Sequence, residues 1–137
     1  MVKEQYGLSI ANALWRYGKE ANENLVPIFH ILPEQFQVPS IYFPDSEIIS
    51  DRDTLSSFIF TYSLNAKVFS TSNEDAFMIA SNIQRELALH KWRVPILNQD
   101  GSETGEYITV KKPSVKKGDD LVAIISISWD ERCYYDT

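Results

Sequence analysis

The chain has 137 residues, a formal net charge of −6, 44% apolar and 23% charged residues, the profile of one ordinary globular domain that buries about two-thirds of its unfolded surface. That charge excludes tight non-specific binding to a phosphate backbone, whose affinity comes from Lys and Arg displacing counterions. The lone Cys133 excludes an intrachain disulfide and a multi-cysteine zinc site. No apolar run reaches the roughly 18 residues of a membrane span, and Met1-Val2-Lys3-Glu4-Gln5 lacks the basic flank and apolar stretch of a signal peptide. The expectation is a single domain, residues 1–137, made and kept in a cytoplasm.

Tyr6, Ile10, Ala13, Leu14, Tyr17 and Ala21 recur at spacings of three and four, which predicts a helix over 3–21 with one apolar side. Pro27, Pro33, Pro39 and Pro44 then forbid a long helix, while 28–31 and 40–43 are rich in strand formers and predict two short strands. The stretch 45–53 is polar at both ends and reads as a loop or a strand extension. From Ser57 to Val68 the residues Phe58, Phe60, Tyr62, Leu64, Ala66 and Val68 alternate with polar ones, broken only by Ile59. This predicts a long, half-buried strand that presents its apolar face to the helices. Thr71-Ser72-Asn73-Glu74 has the capping-box pattern, and Ala76, Ile79, Ala80, Ile83 and Leu87 follow on one helical face, predicting a second helix over 72–90. Strands at 94–97 and 107–112 flank a polar, two-glycine connection at 98–106, long enough to take its order from a neighbour. A turn at 116–120 leads into a last strand at 121–129. The predicted order α-β-β-β-α-β-β-β implies the α+β class, one antiparallel β-sheet with two α-helices packed on one face.

Residues that carry chemistry are few. His30 reads as a sheet residue. His90, with Lys91, falls in the last turn of the second helix, where a cation complements the free carbonyls and the helix dipole. Neither belongs to a nucleophile motif. Cys133 follows Asp130-Glu131-Arg132, which does not supply the positive surroundings that activate a thiol. An enzyme would need His30, His90 and Cys133 to converge in the fold. Asp45, Glu47, Asp51 and Asp53 could offer oxygens to a hard cation, but their spacing is not that of the calcium loop and its central Gly is missing. They read as a solvated negative loop. Lys111-Lys112-Pro113-Ser114-Val115-Lys116-Lys117 is the concentration of positive charge. It has neither the helix N-terminus nor the glycine nest that a phosphate needs, and reads as a solvated turn whose lysines discourage strand-edge pairing. Trp15, Trp92 and Trp129 read as core or sheet-face residues, open also to an interface role. No catalytic, metal or cofactor-binding set is expected.

The Pro-flanked strand Val38-Pro39-Ser40-Ile41-Tyr42-Phe43, the capped helix, the segment from Arg93-Val94-Pro95-Ile96-Leu97 through Asn98-Gln99-Asp100-Gly101-Ser102-Glu103-Thr104-Gly105, and the ending Ala123-Ile124-Ile125-Ser126-Ile127-Ser128-Trp129-Asp130 together resemble the tail terminator (tail completion) proteins of long-tailed bacteriophages. The resemblance covers most of the chain and lies in element order and texture. It implies a virion protein of the tail, assembled in the host cytoplasm, with no cofactor and no chemistry. Such proteins close into a ring, usually hexameric, on the last ring of the tail tube protein, stop its polymerisation and present a surface to the head connector protein. The net negative charge suits a channel through which DNA passes without tight binding. On this reading Asp45, Glu47, Asp51, Asp53, Asp100 and Glu103 belong to a subunit or channel surface. Another small head–tail connector or neck protein, or an acidic binding or inhibitory module, would share the size, charge and lack of motifs.

Overall fold

The structure, a computed structural model, describes residues 4–135. Lys3, where the predicted first helix begins, and the Met1–Lys3 part of the N-terminal segment read above lie outside them. The first helix, α1 (Glu4–Ala21), buries Ile10, Ala13 and Leu14, and the second, α2 (Asn73–Leu89), buries Ala76, Ile79, Ala80, Ile83 and Leu87. All five of those α2 residues are the ones its 3.6-residue period selects. The cap of α2 is one residue later than the pattern suggested. Ser72, not Thr71, is the N-cap, and its Oγ accepts from the Asp75 N–H at 3.1 Å. The Asp75 carboxylate is in turn held by Ser70 Oγ and by Asn22 Nδ2 at the far end of α1.

Eight strands surround the helices: β1 (Val26–Phe29), β2 (Ser40–Phe43), β3 (Glu47–Arg52), β4 (Ser57–Phe69), β5 (Arg93–Leu97), β6 (Glu103–Thr109), β7 (Lys111–Lys117) and β8 (Val122–Tyr134). The class is α+β, as expected, with two more strands than the sequence suggested. Instead of one antiparallel sheet there are two: a six-stranded sheet in the order β1-β2-β4-β8-β7, with β3 also on β4, and a separate β5-β6 pair. The β1-β2 pairing is parallel. Residues 45–53, read as a loop or strand extension, contain β3, which pairs with Phe58–Ser63 of β4. The predicted 107–112 strand is divided between β6 and β7, and the lysine segment is an edge strand on β8 rather than a turn. The 98–106 connection is also shorter, because Glu103 already pairs with Leu97.

The long pair β4–β8 determines the shape. Its register runs unbroken from Ser57 opposite Tyr134 to Phe69 opposite Val122, so its 13 residues per strand span about 40 Å at roughly 3.3 Å per residue. Helix α2, with 17 residues, spans only about 26 Å at 1.5 Å per residue. The ribbon is therefore longer than α2. On its C-terminal half Leu64, Ala66 and Val68 are buried with Ala123, Ile125 and Ile127 of β8 in the core. The N-terminal half, with β3 alongside, projects as a three-stranded arm. Phe58, Phe60 and Tyr62 share the inward face as predicted, but they are half-buried and form a ring ladder whose inner member, Tyr62, packs against the core. Tyr62 ends this ladder, stacked on the buried Trp129 at 5.4 Å between centroids.

Candidate assembly surface

The arm is held stiff from its tip inward. At the β3–β4 turn the Asp53 and Thr54 N–H groups donate to the Ser57 carbonyl, and Ser57 Oγ donates to Asp53 Oδ2 at 3.0 Å. Arg132 Nε on β8 pairs with the same Asp53 oxygen at 2.8 Å, and the Tyr135 N–H donates to the Ser56 carbonyl. This network leaves Leu55 at the apex 98% exposed. Ile48 and Ile49 on β3 are more than half exposed, and Tyr134 and Tyr135 close the same end. Ile48 and Ile49, on opposite faces of β3, and Leu55 at the apex thus leave apolar side chains on both faces and at the tip of the arm, a candidate interaction surface.

Where the arm meets the body, Leu8 and Ala11 of α1, Phe29 of β1, Phe43 of β2 and Ile48, Tyr62 and Leu64 line an apolar groove of about 490 Å³. His30 lies at its rim just after β1, not inside a strand, with φ 65° and Nδ1 2.7 Å from Asp45 Oδ1. On the other side of α1 a second groove of about 520 Å³ is more polar, lined in part by Arg16, Tyr17, Glu20, His90 and Glu103. There His90 caps α2, its Nδ1 2.8 Å from the Glu86 carbonyl and its ring stacked on Tyr17 at 5.3 Å. Burial, and then the nearby Glu86, push the Tyr17 hydroxyl above its ordinary pKa, so it stays a neutral phenol.

The six acids read as surface residues fall in two places. Asp45, Glu47, Asp51 and Asp53 follow one another along β3 and its flanks. Asp45 and Asp53 are engaged with His30 and Arg132, and Asp51 Oδ1 accepts the Arg52 N–H. Asp100 and Glu103 belong to the β5–β6 turn instead. That turn is ordered by its own bonds: the Asn98 N–H donates to the Ser102 carbonyl, and the Ser102 Oγ and N–H both donate to Asp100 Oδ1. Gly101 supplies the positive φ of 89° that the turn requires. A neighbouring subunit is therefore not needed to shape it. Hydrogen bonds from the Ser102 side chain, then its backbone, hold the Asp100 carboxyl below the usual carboxylate range. A depressed pKa stabilises the folded turn above the ordinary aspartate value, and this is lost as pH falls through the lowered one. The Ser102 amide resonance is expected to titrate with a midpoint below that of free aspartate. A midpoint at the ordinary value would show that these bonds do not hold the turn.

His30, His90 and Cys133 do not come together: they lie at the rim of one groove, at the lining of the other, and opposite Phe58 near the arm tip. Among the described residues no group of three or more His, Cys, Asp or Glu is placed to hold a metal, and no helix is long and apolar enough to cross a membrane. Of the tryptophans, Trp129 is core, Trp15 is half-buried with Nε1 donating to the Leu25 carbonyl, and Trp92 is 44% exposed. What sequence reasoning missed is the apolar part of the arm, Ile48, Ile49 and Leu55. Its one local signal was two adjacent isoleucines inside a charged stretch.

The structure is thus a small α+β domain with an arm that carries exposed apolar side chains. No protein-family model matches the chain. It is 34% identical over 111 residues to the phage-like element PBSX protein XkdJ of Bacillus subtilis (strain 168), covering 80% of this chain and 76% of that one. To the uncharacterized protein YqbJ of the same organism it is 30% identical over 105 residues, covering 77% and 72%. The chain belongs to the family of XkdJ, and is a phage-derived protein. A solved structure superposes over 100% of this chain and 99% of its own with a TM-score of 0.46 and 14% identity, too distant to argue from.

Proposed function

We propose that this protein is a structural component of a phage tail: a terminator that closes as a ring on the last ring of the tail tube, ends its polymerisation and forms the surface to which the head is joined. The observation that carries the reading is the arm, a stiff projection with Ile48, Ile49 and Leu55 exposed. Kinship with a phage-element protein and the resemblance to tail terminators support it. The ring is made of copies of this chain, six by that resemblance, and it meets tail tube protein on one side and head connector protein on the other. It works by fit, without cofactor or catalysis. Its net charge of −6 lets DNA pass the channel without counterion-releasing contacts.

Removing the protein from a host that makes the particles is the direct test. Overlong tubes without heads are expected, because nothing then stops tube growth. Tails of normal length joined to heads would overturn the reading. Normal-length tails without heads would overturn capping and place the protein among head–tail connectors instead.

A further inference from the structure

The six-stranded sheet ends in strand edges that no strand of this chain covers. One is β3, all six of whose residues are exposed. At the opposite side is β7, the terminal strand beside β8. Such open edges invite pairing with another chain; the lysines, Pro113 and register shift of β7 discourage it, the lysines least towards an edge of opposite charge. These two differ in charge. Along β3 and its flanks lie Asp45, Glu47, Asp51 and Asp53 against Arg52, whereas β7 carries Lys111, Lys116 and Lys117 with no acid. Asp45, Asp53 and Lys111 are paired within the chain. Among the described residues Glu47 on one edge, and Lys116 and Lys117 on the other, have no ion-pair partner.

We infer that copies of this chain join edge to edge, β3 of one subunit pairing antiparallel with β7 of the next, so that a single sheet continues from subunit to subunit. The inference rests on the ring reading above and supplies its contact. Strand direction agrees. Since β3 is antiparallel to β4, β4 to β8 and β8 to β7, β7 runs opposite to β3. A second copy in the same orientation therefore presents its β3 antiparallel to the first copy's β7. Because the paired edges are different surfaces, the contact is head-to-tail and repeats around a ring, where a two-fold contact would stop at a dimer.

The side-chain faces agree as well. Ile48 lies opposite Tyr62 on the inward face, and Val115 lies opposite Ile125 on that same face. A register that keeps the inward faces together can set Ile48 against Val115, which brings Glu47 against Lys116. Backbone bonds would give affinity, and these two pairs would select the register.

Disulfide trapping in assembled particles tests the contact. In a Cys133→Ser background, Glu47→Cys and Lys116→Cys are combined in one chain. The two positions are at least three strand spacings apart within a subunit, about 14 Å, beyond the roughly 7 Å that a disulfide allows between Cα atoms, so any cross-link joins two copies. A non-reducing gel is expected to show a ladder of multimers for the double variant and none for either single variant. Particles that contain the protein but give no ladder would overturn this contact and leave the ring reading standing. Dimers from Glu47→Cys alone would overturn it in favour of a two-fold β3–β3 pairing. Particles lacking the protein would overturn both.

Charge reversal gives a second measurement on intact side chains. Glu47→Lys and Lys116→Glu should each lower the yield of joined particles by at least about tenfold, because the defect recurs at every contact of the ring. Together they should restore most of it. Equal loss in the combined variant would overturn the pairing.

Discussion

Val68→Asp is expected to leave no cooperative unfolding transition, whereas Phe60→Asp, on the same face of the same strand, is expected to keep one. Val68 is fully buried among Ile41, Ala123 and the α2 side chains. A carboxylate there has no partner, and an uncompensated buried charge costs several kcal/mol out of a total stability of about 5–15 kcal/mol. Phe60 is half-buried, and among its contacts are Phe58 and Tyr62, both met edge-on. Ring pairs of that kind contribute about 0.5–1.5 kcal/mol each, and a carboxylate at a half-buried site keeps access to water. Thermal melts followed by circular dichroism would compare the two. Should Phe60→Asp unfold as completely as Val68→Asp, the arm would be part of the core.

The second large effect is expected on assembly and not on folding. Replacing Ile48, Ile49 and Leu55 together by Ser removes the exposed apolar side chains of β3 and the arm tip while leaving the Asp53–Ser57–Arg132 network intact. The isolated chain should melt within a few degrees of the parent, because exposed positions contribute little to the monomer. At a contact that buries them, side chains of this size are worth about 1.5–3 kcal/mol each. Their joint loss should weaken association by more than a thousandfold, at about 1.4 kcal/mol per factor of ten. The measurement is the amount of variant recovered in purified particles beside its melting temperature. Parental incorporation would move the assembly surface away from the arm.

Much of the body was legible residue by residue. The five buried positions of α2 follow from helical period, and Leu64, Ala66 and Val68 from strand alternation. The cap was misplaced by one residue because Ser72 and Asp75 match the capping pattern as well as Thr71 and Glu74 do, and only the geometry of the first turn chooses between them. The acids of the proposed surface were visible as charges. That Asp45 would close on His30, and Asp53 on Arg132, was not, since those partners are 15 and 79 positions away along the chain.

By itself the sequence determined those features whose cause is local: the two amphipathic helices, the alternating strands at 57–68 and 121–129, the Gly101 turn and the lack of any reactive motif. Tertiary structure alone decided where one element's length exceeds another's and which edges remain open. Strands of 13 residues paired along their full length are longer than α2, so the alternation of β4 passes from buried Leu64, Ala66 and Val68 to half-buried Phe58, Phe60 and Tyr62. Residues 47–52 and 111–117 became strands because β4 and β8 offered them unpaired backbone groups, a demand that carries no hydrophobic period of its own.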